Sequence, residues 1–379
     1  MSIVKFSEVA HRAYTREDRF NTEKIYYVGG EHIDSCELYV TKKGVIKGST
    51  IGPMFYCGFT AGQILFVTRN PHLKKCSIAD FDGICSEKTF VIETKDESIL
   101  TQEYLAIIMQ SDDFWNYCEE NKSGGVNYFL NWSTLADYEF ELPPIKQQLE
   151  IAQKVMSAYR LKQSYKKLLD ATREMVKSQF IEMFGTVENN THNFPIMTIG
   201  EFANCFAGAT PSTSHPEYWE NGRIRWMSSG EVHKGHVEDT DSRITELGYK
   251  SASTRMVPIH SIVIAIAGQG KTRGTVAITE VDLCTNQSLC AIVPDERVNY
   301  SYLYHNLQGR YLELRGLSGD VNGRGGLNLK IIQKIPVILP PIEKQQQFAS
   351  IAQQADKSKF ELRKSIDAID KVIKSLINN

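Results

Sequence analysis

The chain of 379 residues repeats itself. LNWSTLADYEFELPPI at 130–145 returns as LNLKIIQKIPVILPPI at 327–342, an offset of 197 residues (339 − 142). Upstream, EYLAIIMQSDDF at 103–114 is echoed by SYLYHNLQGRYL at 301–312, with Tyr104 answering Tyr302 and Gln110 answering Gln308. Near the two starts, FSEV at 6–9 faces IGEF at 199–202. A period of half the chain means two copies of one domain, not a solenoid of short repeats. Each copy is long enough to bury its own core.

Within each copy the texture changes at Leu-Pro-Pro-Ile. Before it lie short apolar, β-branched and aromatic runs cut by Gly and Pro, such as GQILFVTRNP and HSIVIAIAGQG. These read as strands and turns, with one helix-like segment around TQEYLAIIMQSDDFWNYCEE and its counterpart. After it the first copy has no Gly or Pro until Gly185, and the second has none to the end. Pro144 and Pro341 suit a first helical turn, where a missing N–H costs nothing. The pattern predicts an α+β chain with pseudo-two-fold repetition: two β-rich domains, at 1–141 and 186–338, separated by two long antiparallel helices, at 142–185 and 339–379.

The predicted helices carry a narrow seam. Phe348, Ala352, Ala355, Lys359, Leu362, Ile366, Ile369, Ile373 and Leu376 fall at alternating spacings of four and three. Subtracting 197 gives Ile151, Val155, Ala158, Lys162, Tyr165, Leu169, Thr172, Val176 and Gln179. A heptad-like stripe of this kind is a helix–helix contact. Lys162 and Lys359 interrupt it at the same place. Ordinarily such a lysine packs its stem and sends its ammonium to water. The sharper alternative is a register marker that penalises slipped pairings. Roughly 36 residues at about 1.5 Å each would make a rod on the order of 54 Å, the span of about 16 base pairs of B-DNA.

Composition narrows the classes. Hydrophobic content of 42% and charged content of 23% describe an ordinary soluble protein. A net charge of −2 offers no global basic surface, so any nucleic-acid contact must be local. The eight cysteines form no C-x-x-C and no Cys/His set with zinc spacing, which favours free thiols in a reducing cytoplasm. MSIVKFSEVAHRAYTRED has no apolar stretch of signal-peptide or membrane-spanning length. The expected location is cytoplasmic, with no membrane partner.

These residues carry a resemblance. Two β-rich domains each ending in a Pro-Pro-Ile helix look like the DNA-specificity subunit of type I restriction–modification systems, over essentially the whole chain. LPPIKQQLEIAQKV and LPPIEKQQQFASIA resemble that family's helical regions. YYVGGEHID, GQILFVTRNPHLKKC, IRWMSSGEV and TNQSLCAIV resemble motifs of its target-recognition domains. The chain departs from many family members in starting at the first recognition domain, without extra helical sequence. The resemblance implies a non-catalytic subunit of a restriction system. Each domain would read half of a bipartite double-stranded DNA target, and the helices would set the spacer. Two methyltransferase subunits would dock on those helices, and restriction motor subunits would join them. No cofactor would be bound directly; S-adenosylmethionine, ATP and Mg would belong to the partners. The chain itself lacks the (N/D)-P-P-(F/Y/W) loop that adenine methylation requires.

One motif argues for an enzyme. AIAGQGKT at 265–272 fits a phosphate loop if Ala replaces the first Gly. Such a loop needs a helix directly after Lys271–Thr272, whose amides and dipole hold the phosphates. The chain continues instead as RGTVAITEV, of strand composition. A basic hairpin tip meeting DNA phosphate is the better reading, with a P-loop NTPase or a coiled-coil scaffold without DNA as rivals. By the same logic Lys271 and Arg273 in copy two answer Arg69, Lys74 and Lys75 in copy one. GRIRW and NGRGG add Arg223, Arg225 and Arg324; TKKGVIKG and NKSGGVN add Lys42, Lys43, Lys47 and Lys122. Taken singly, each is an ordinary solvated charge; as a set recurring in both copies they favour DNA contact. Trp132 and Trp226 read as packing residues. His32, His233 and His236 have no partner set of metal spacing. The seam residues Ile151, Val155, Lys162, Leu169, Val176, Phe348, Lys359, Leu362, Ile366, Ile369 and Ile373 are the expected docking framework.

Overall fold

The computed structural model describes residues 2–268, 271–317 and 326–378. Two units emerge: residues 1–167 with 362–379, and residues 168–361. Each is a β-rich domain carrying part of both long helices, so the C-terminal segment belongs with the N-terminal domain.

In unit 1, strand Ser2–Lys5 pairs antiparallel with Glu139–Leu142, tying the start of the domain to its end. A four-stranded sheet runs in the order 10–12, 89–94, 64–67, 76–78, and a five-stranded sheet in the order 15–16, 55–59, 83–86, 26–28, 44–45. Unit 2 repeats the plan. Ile196–Thr198 pairs with Pro336–Ile338. A five-stranded sheet runs 203–207, 289–294, 262–265, 276–279, 236–237, and a three-stranded one 242–244, 224–227, 284–285.

The apolar runs that refuse to alternate are explained by position. ILFV at Ile64–Val67 is buried throughout, with Ile64 and Phe66 in one core and Leu65 and Val67 in another. IVIA at Ile262–Ala265 does the same, Ile262 and Ile264 facing one cluster and Val263 and Ala265 the other. A strand lying between two cores has no wet face, so period two disappears.

The expected single helix at 101–120 is two. Gln102–Ile108 and Asp112–Glu120 are separated because Ser111 caps the second, accepting from the Phe114 amide at 3.1 Å. The long helices are Ile145–Phe184, of 40 residues, and Ile342–Asn378, of 37. Pro144 and Pro341 stand immediately before them, and their carbonyls accept the first helical bonds, Gln147 to Pro144 at 2.8 Å and Lys344 to Pro341 at 3.0 Å. Gly185 ends the first helix at φ 71°, a conformation glycine adopts without strain. The two helices run antiparallel. In unit 1, Lys162 meets Asp370 at 2.8 Å; in unit 2, Phe180 and Phe184 lie 5.1 and 5.7 Å from Phe348.

Every seam residue is withdrawn from solvent. Val155, Leu169, Val176 and Phe348 are buried, and Ile151, Lys359, Leu362, Ile366, Ile369 and Ile373 are half-buried. Lys162 corrects the ordinary expectation for a seam lysine. It is 7% exposed and sends its ammonium to Glu37 at 3.3 Å and Asp370 at 2.8 Å, not to water. Glu37 also receives Lys166 at 2.6 Å and the Tyr159 hydroxyl at 2.7 Å. Burial alone would raise the Glu37 pKa, but these donors outweigh it and hold the carboxyl below its usual value. A buried charge with two fixed partners tolerates one register only. Lys359 pairs locally with Asp356 at 2.6 Å.

Candidate nucleic-acid interface

Of the AIAGQGKT stretch, Ala265–Gly268 and Lys271–Thr272 belong to a β-hairpin, and Gln269 and Gly270 lie outside the described residues. Ile262–Ala265 pairs antiparallel with Val276–Thr279, and Gly274 N–H returns to the Ala265 carbonyl at 2.9 Å. Strand succeeds turn, so Lys271–Thr272 opens no helix and the amide cradle of a nucleotide phosphate loop does not form. Copy one places a hairpin at the same point, Ile64–Val67 against Cys76–Ile78. Lys271 is exposed at its tip, and its carbonyl accepts from Tyr311 Oη at 3.1 Å. Arg273, by contrast, is 8% exposed, so its guanidinium faces protein rather than an open groove.

The fold brings separate basic segments together. Leu130 N–H reaches the Thr68 carbonyl at 3.0 Å, and Leu327 N–H reaches Ile266 at 2.9 Å. In both units this lays the repeated Leu-Asn against the hairpin. In unit 1 Arg69 bridges to Phe129, and Asn70 N–H donates to Tyr128 at 2.9 Å. Arg69 therefore lies beside the NKSGGVN loop, whose Lys122 is held by Glu119 at 2.6 Å and sits 4.5 Å from the Tyr128 ring. Arg324 lies outside the described residues.

Not every basic side chain points outward. Lys75 donates to the Gly30 carbonyl, and Lys74 is 3.6 Å from Asp112. Lys42 is exposed but paired with Asp34 at 2.6 Å, which holds that carboxyl below its ordinary value. Lys43 places its ammonium 3.8 Å from the Tyr26 ring centre and 4.1 Å from Phe81, a cation–π seat. Lys47 and Arg223 are exposed. Arg225 is half-buried, its Nε donating to Asp239 at 2.9 Å.

Asp239 also receives Arg243 through both carboxylate oxygens at 2.8 Å. Arg243, the Thr240 backbone and Arg225 together pull the Asp239 carboxyl down to about 2. Lys234 touches Glu231 and Asp241, each at 2.8 Å, and the Asp239 carbonyl at 3.2 Å. Its neighbour His233 lies 3.2 Å from Thr272. One short turn, Ser229–Lys234, thus adjoins both the arginine cluster and the hairpin tip.

Two features went unread in the sequence. Arg243 and Asp239 carry no motif; strand register sets Arg243 opposite Arg225, and only the folded chain brings the loop residue Asp239 to both. Phe20 is 83% exposed with the Arg19 guanidinium 4.2 Å above its ring, in a loop with no recurrence in copy two. The histidines and tryptophans stay structural: His32 accepts from Gly29 N–H at 2.9 Å, His236 meets Glu280 at 2.7 Å, and Trp226 donates to Ala209 at 3.0 Å. Trp132 packs against the unit 1 core. All eight cysteines are free thiols, and only Cys36 is exposed. Among the described residues no His, Cys, Asp and Glu group could hold a metal ion, and no helix is long and apolar enough to cross a membrane.

This duplicated architecture is a known one. Over 99% of the chain it superposes on the S subunit of a type I restriction–modification system from M. genitalium, covering 94% of it, with a TM-score of 0.63 at 14% identity. A chain from a structure describing complex assembly and conformational transition of the type I R-M system gives 0.60 at 19%, covering 99% and 96%. Residues 192–370 match the type I restriction modification DNA specificity domain. The EcoR124I/EcoR124II specificity subunit of Escherichia coli is 28% identical over 162 residues, 42% of this chain and 40% of that protein. The MjaIX specificity subunit of Methanocaldococcus jannaschii is 28% identical over 189, or 48% and 42%. The alignment thus spans about two fifths of these relatives' length. In fold over its whole length, and in sequence over residues 192–370, the chain is similar to type I restriction–modification specificity subunits.

Proposed function

We propose that the chain is the non-catalytic DNA-specificity subunit of a type I restriction–modification complex. Each domain reads one half of a bipartite duplex target, and the helices set the number of base pairs between the halves. Two methyltransferase subunits dock on the helices, and motor-nuclease subunits join for restriction. S-adenosylmethionine, ATP and Mg act on those partners in the cytoplasm.

The observation that carries this reading is the repetition of one hairpin-and-loop arrangement in both domains. Each holds its hairpin against the repeated Leu-Asn, through the amides of Leu130 and Leu327. Two equivalent heads suit a target of two half-sites better than a single nucleotide pocket. The test is a map of methylated adenines in a cell carrying this chain with its cognate methyltransferase. A gapped two-part motif is expected. A contiguous motif, or none, counts against it. Loss of DNA affinity with rising salt separates it from a scaffold that never meets DNA.

A further inference from the structure

The duplication permits a comparison of equivalent places in the two domains. Their framework is alike. The sheets that hold Tyr26–Val28, five-stranded, and Ile224–Met227, three-stranded, are not. Tyr26–Val28 runs parallel to Gly83–Ser86 and antiparallel to Gly44–Val45. Ile224–Met227 runs parallel to Cys284–Thr285 and antiparallel to Ser242–Ile244. Val28 stands opposite Cys85 and Met227 opposite Thr285, which makes Tyr26 the counterpart of Arg225. Tyr26 then faces Val45, whereas Arg225 faces Arg243.

Two guanidinium groups directly opposite on neighbouring strands repel each other. Asp239 supplies one carboxylate to both, leaving one net positive charge (+1 +1 −1) on a partly exposed face. On the other face Ile224, Trp226 and Ile244 pack into an apolar cluster, so the strands cannot turn the arginines away. Arg225 spends its Nε on Asp239, and its two terminal nitrogens hold no hydrogen bond to another described residue. That leaves a fixed two-donor fork facing outward.

Building on the DNA-reading function above, we infer that Arg225 reads a guanine in the half-site taken by unit 2, with Asp239 as its positioning residue. The carboxylate decides between base and backbone. Beside a phosphate it would repel the ligand; beside the neutral O6 and N7 of guanine it fixes the fork at little cost. The equivalent place in unit 1 carries Tyr26 with Lys43 over its ring, so the two halves of the target differ here.

The experiment is selection by the full-length chain from a duplex library with a randomised stretch, then salt titration on the selected sequences. Arg225→Lys keeps the charge and removes the fork; Asp239→Asn keeps the shape and removes the charge. Arg225→Lys should lower the preference for guanine at one position by about 5- to 150-fold, with the other half-site unchanged. Asp239→Asn should loosen that same position while tightening binding to unselected DNA, because the net charge there rises. If Arg225→Ala weakens all sequences alike and lowers the salt slope by about one unit, Arg225 meets phosphate and the inference is overturned. Unchanged selection by Asp239→Asn overturns its positioning role. A bipartite motif indifferent to Arg225 removes this inference alone. No enriched motif from the unaltered chain removes the proposed function with it.

Discussion

Gln148 and Gln345 are fully buried at the third position after Pro-Pro-Ile, and their side chains make the same three bonds. Gln148 accepts from Thr101 N–H at 3.1 Å and donates to Ile99 and Pro143 at 2.8 and 2.9 Å. Gln345 accepts from Asn299 N–H at 2.8 Å and donates to Arg297 and Pro340 at 3.1 and 2.8 Å. Each amide locks the base of a long helix to its domain, and the repeat QQ shows the residue without showing that role. Gln148→Leu should destabilise unit 1 by about 1–3 kcal/mol through unpaired buried groups; a denaturant titration showing no change would contradict it. Lys271→Ala should weaken binding to every DNA sequence by a similar factor and lower the salt slope by about one unit. A change confined to one target sequence would reassign Lys271 from phosphate to base. His305 is held by burial at about 4, against Phe348 and near Asp356, Lys359 and His236. A histidine kept neutral in the fold binds its proton more readily unfolded. Stability is therefore complete above about pH 6.5 and falls toward pH 4, by up to about 3 kcal/mol. His305→Phe should flatten that slope in melts across the range.

The long helices are elements whose existence the sequence states clearly and whose partners it leaves open. A stretch without Gly or Pro, a proline before it and Gly185 after it mark the first helix almost to the residue. The seam spacing marks which face is covered. What the heptads do not reveal is that Lys162 closes on Glu37, which lies in a loop with no helical pattern at all. Lys162→Ala should cost more than the roughly 0–1 kcal/mol of an exposed pair and less than the roughly 3–5 kcal/mol of a fully buried one, since Asp370 is half exposed. Thermal melts of Lys162→Ala against Asp370→Ala read it. Deleting one heptad of the central helix shortens it by about 10 Å, or about three base pairs. The spacer in the methylated motif should shorten while both half-sites persist; altered half-sites would contradict the division of labour between heads and helices.

For the whole molecule, duplication was legible as soon as Leu-Pro-Pro-Ile was seen twice. The assignment of the C-terminal segment was not. Ile373, Leu376 and Ile377 pack against the core of unit 1, and Asn378 Oδ1 accepts from Asp112 N–H at 2.7 Å. Removing residues 362–379 should therefore lower the melting of unit 1, although that unit begins at the other end of the chain. The sequence by itself determined the repeat, the strand-and-turn texture, the helices and their seam, because each is a local pattern of side-chain size, polarity and backbone freedom. The tertiary structure alone decided which charges face outward. Lys75, Arg273 and Lys162 look as solvated in sequence as Lys271 and Arg223 do. Whether a cation meets water, a carbonyl or a carboxylate depends on groups tens to hundreds of residues away, and no local pattern encodes that distance.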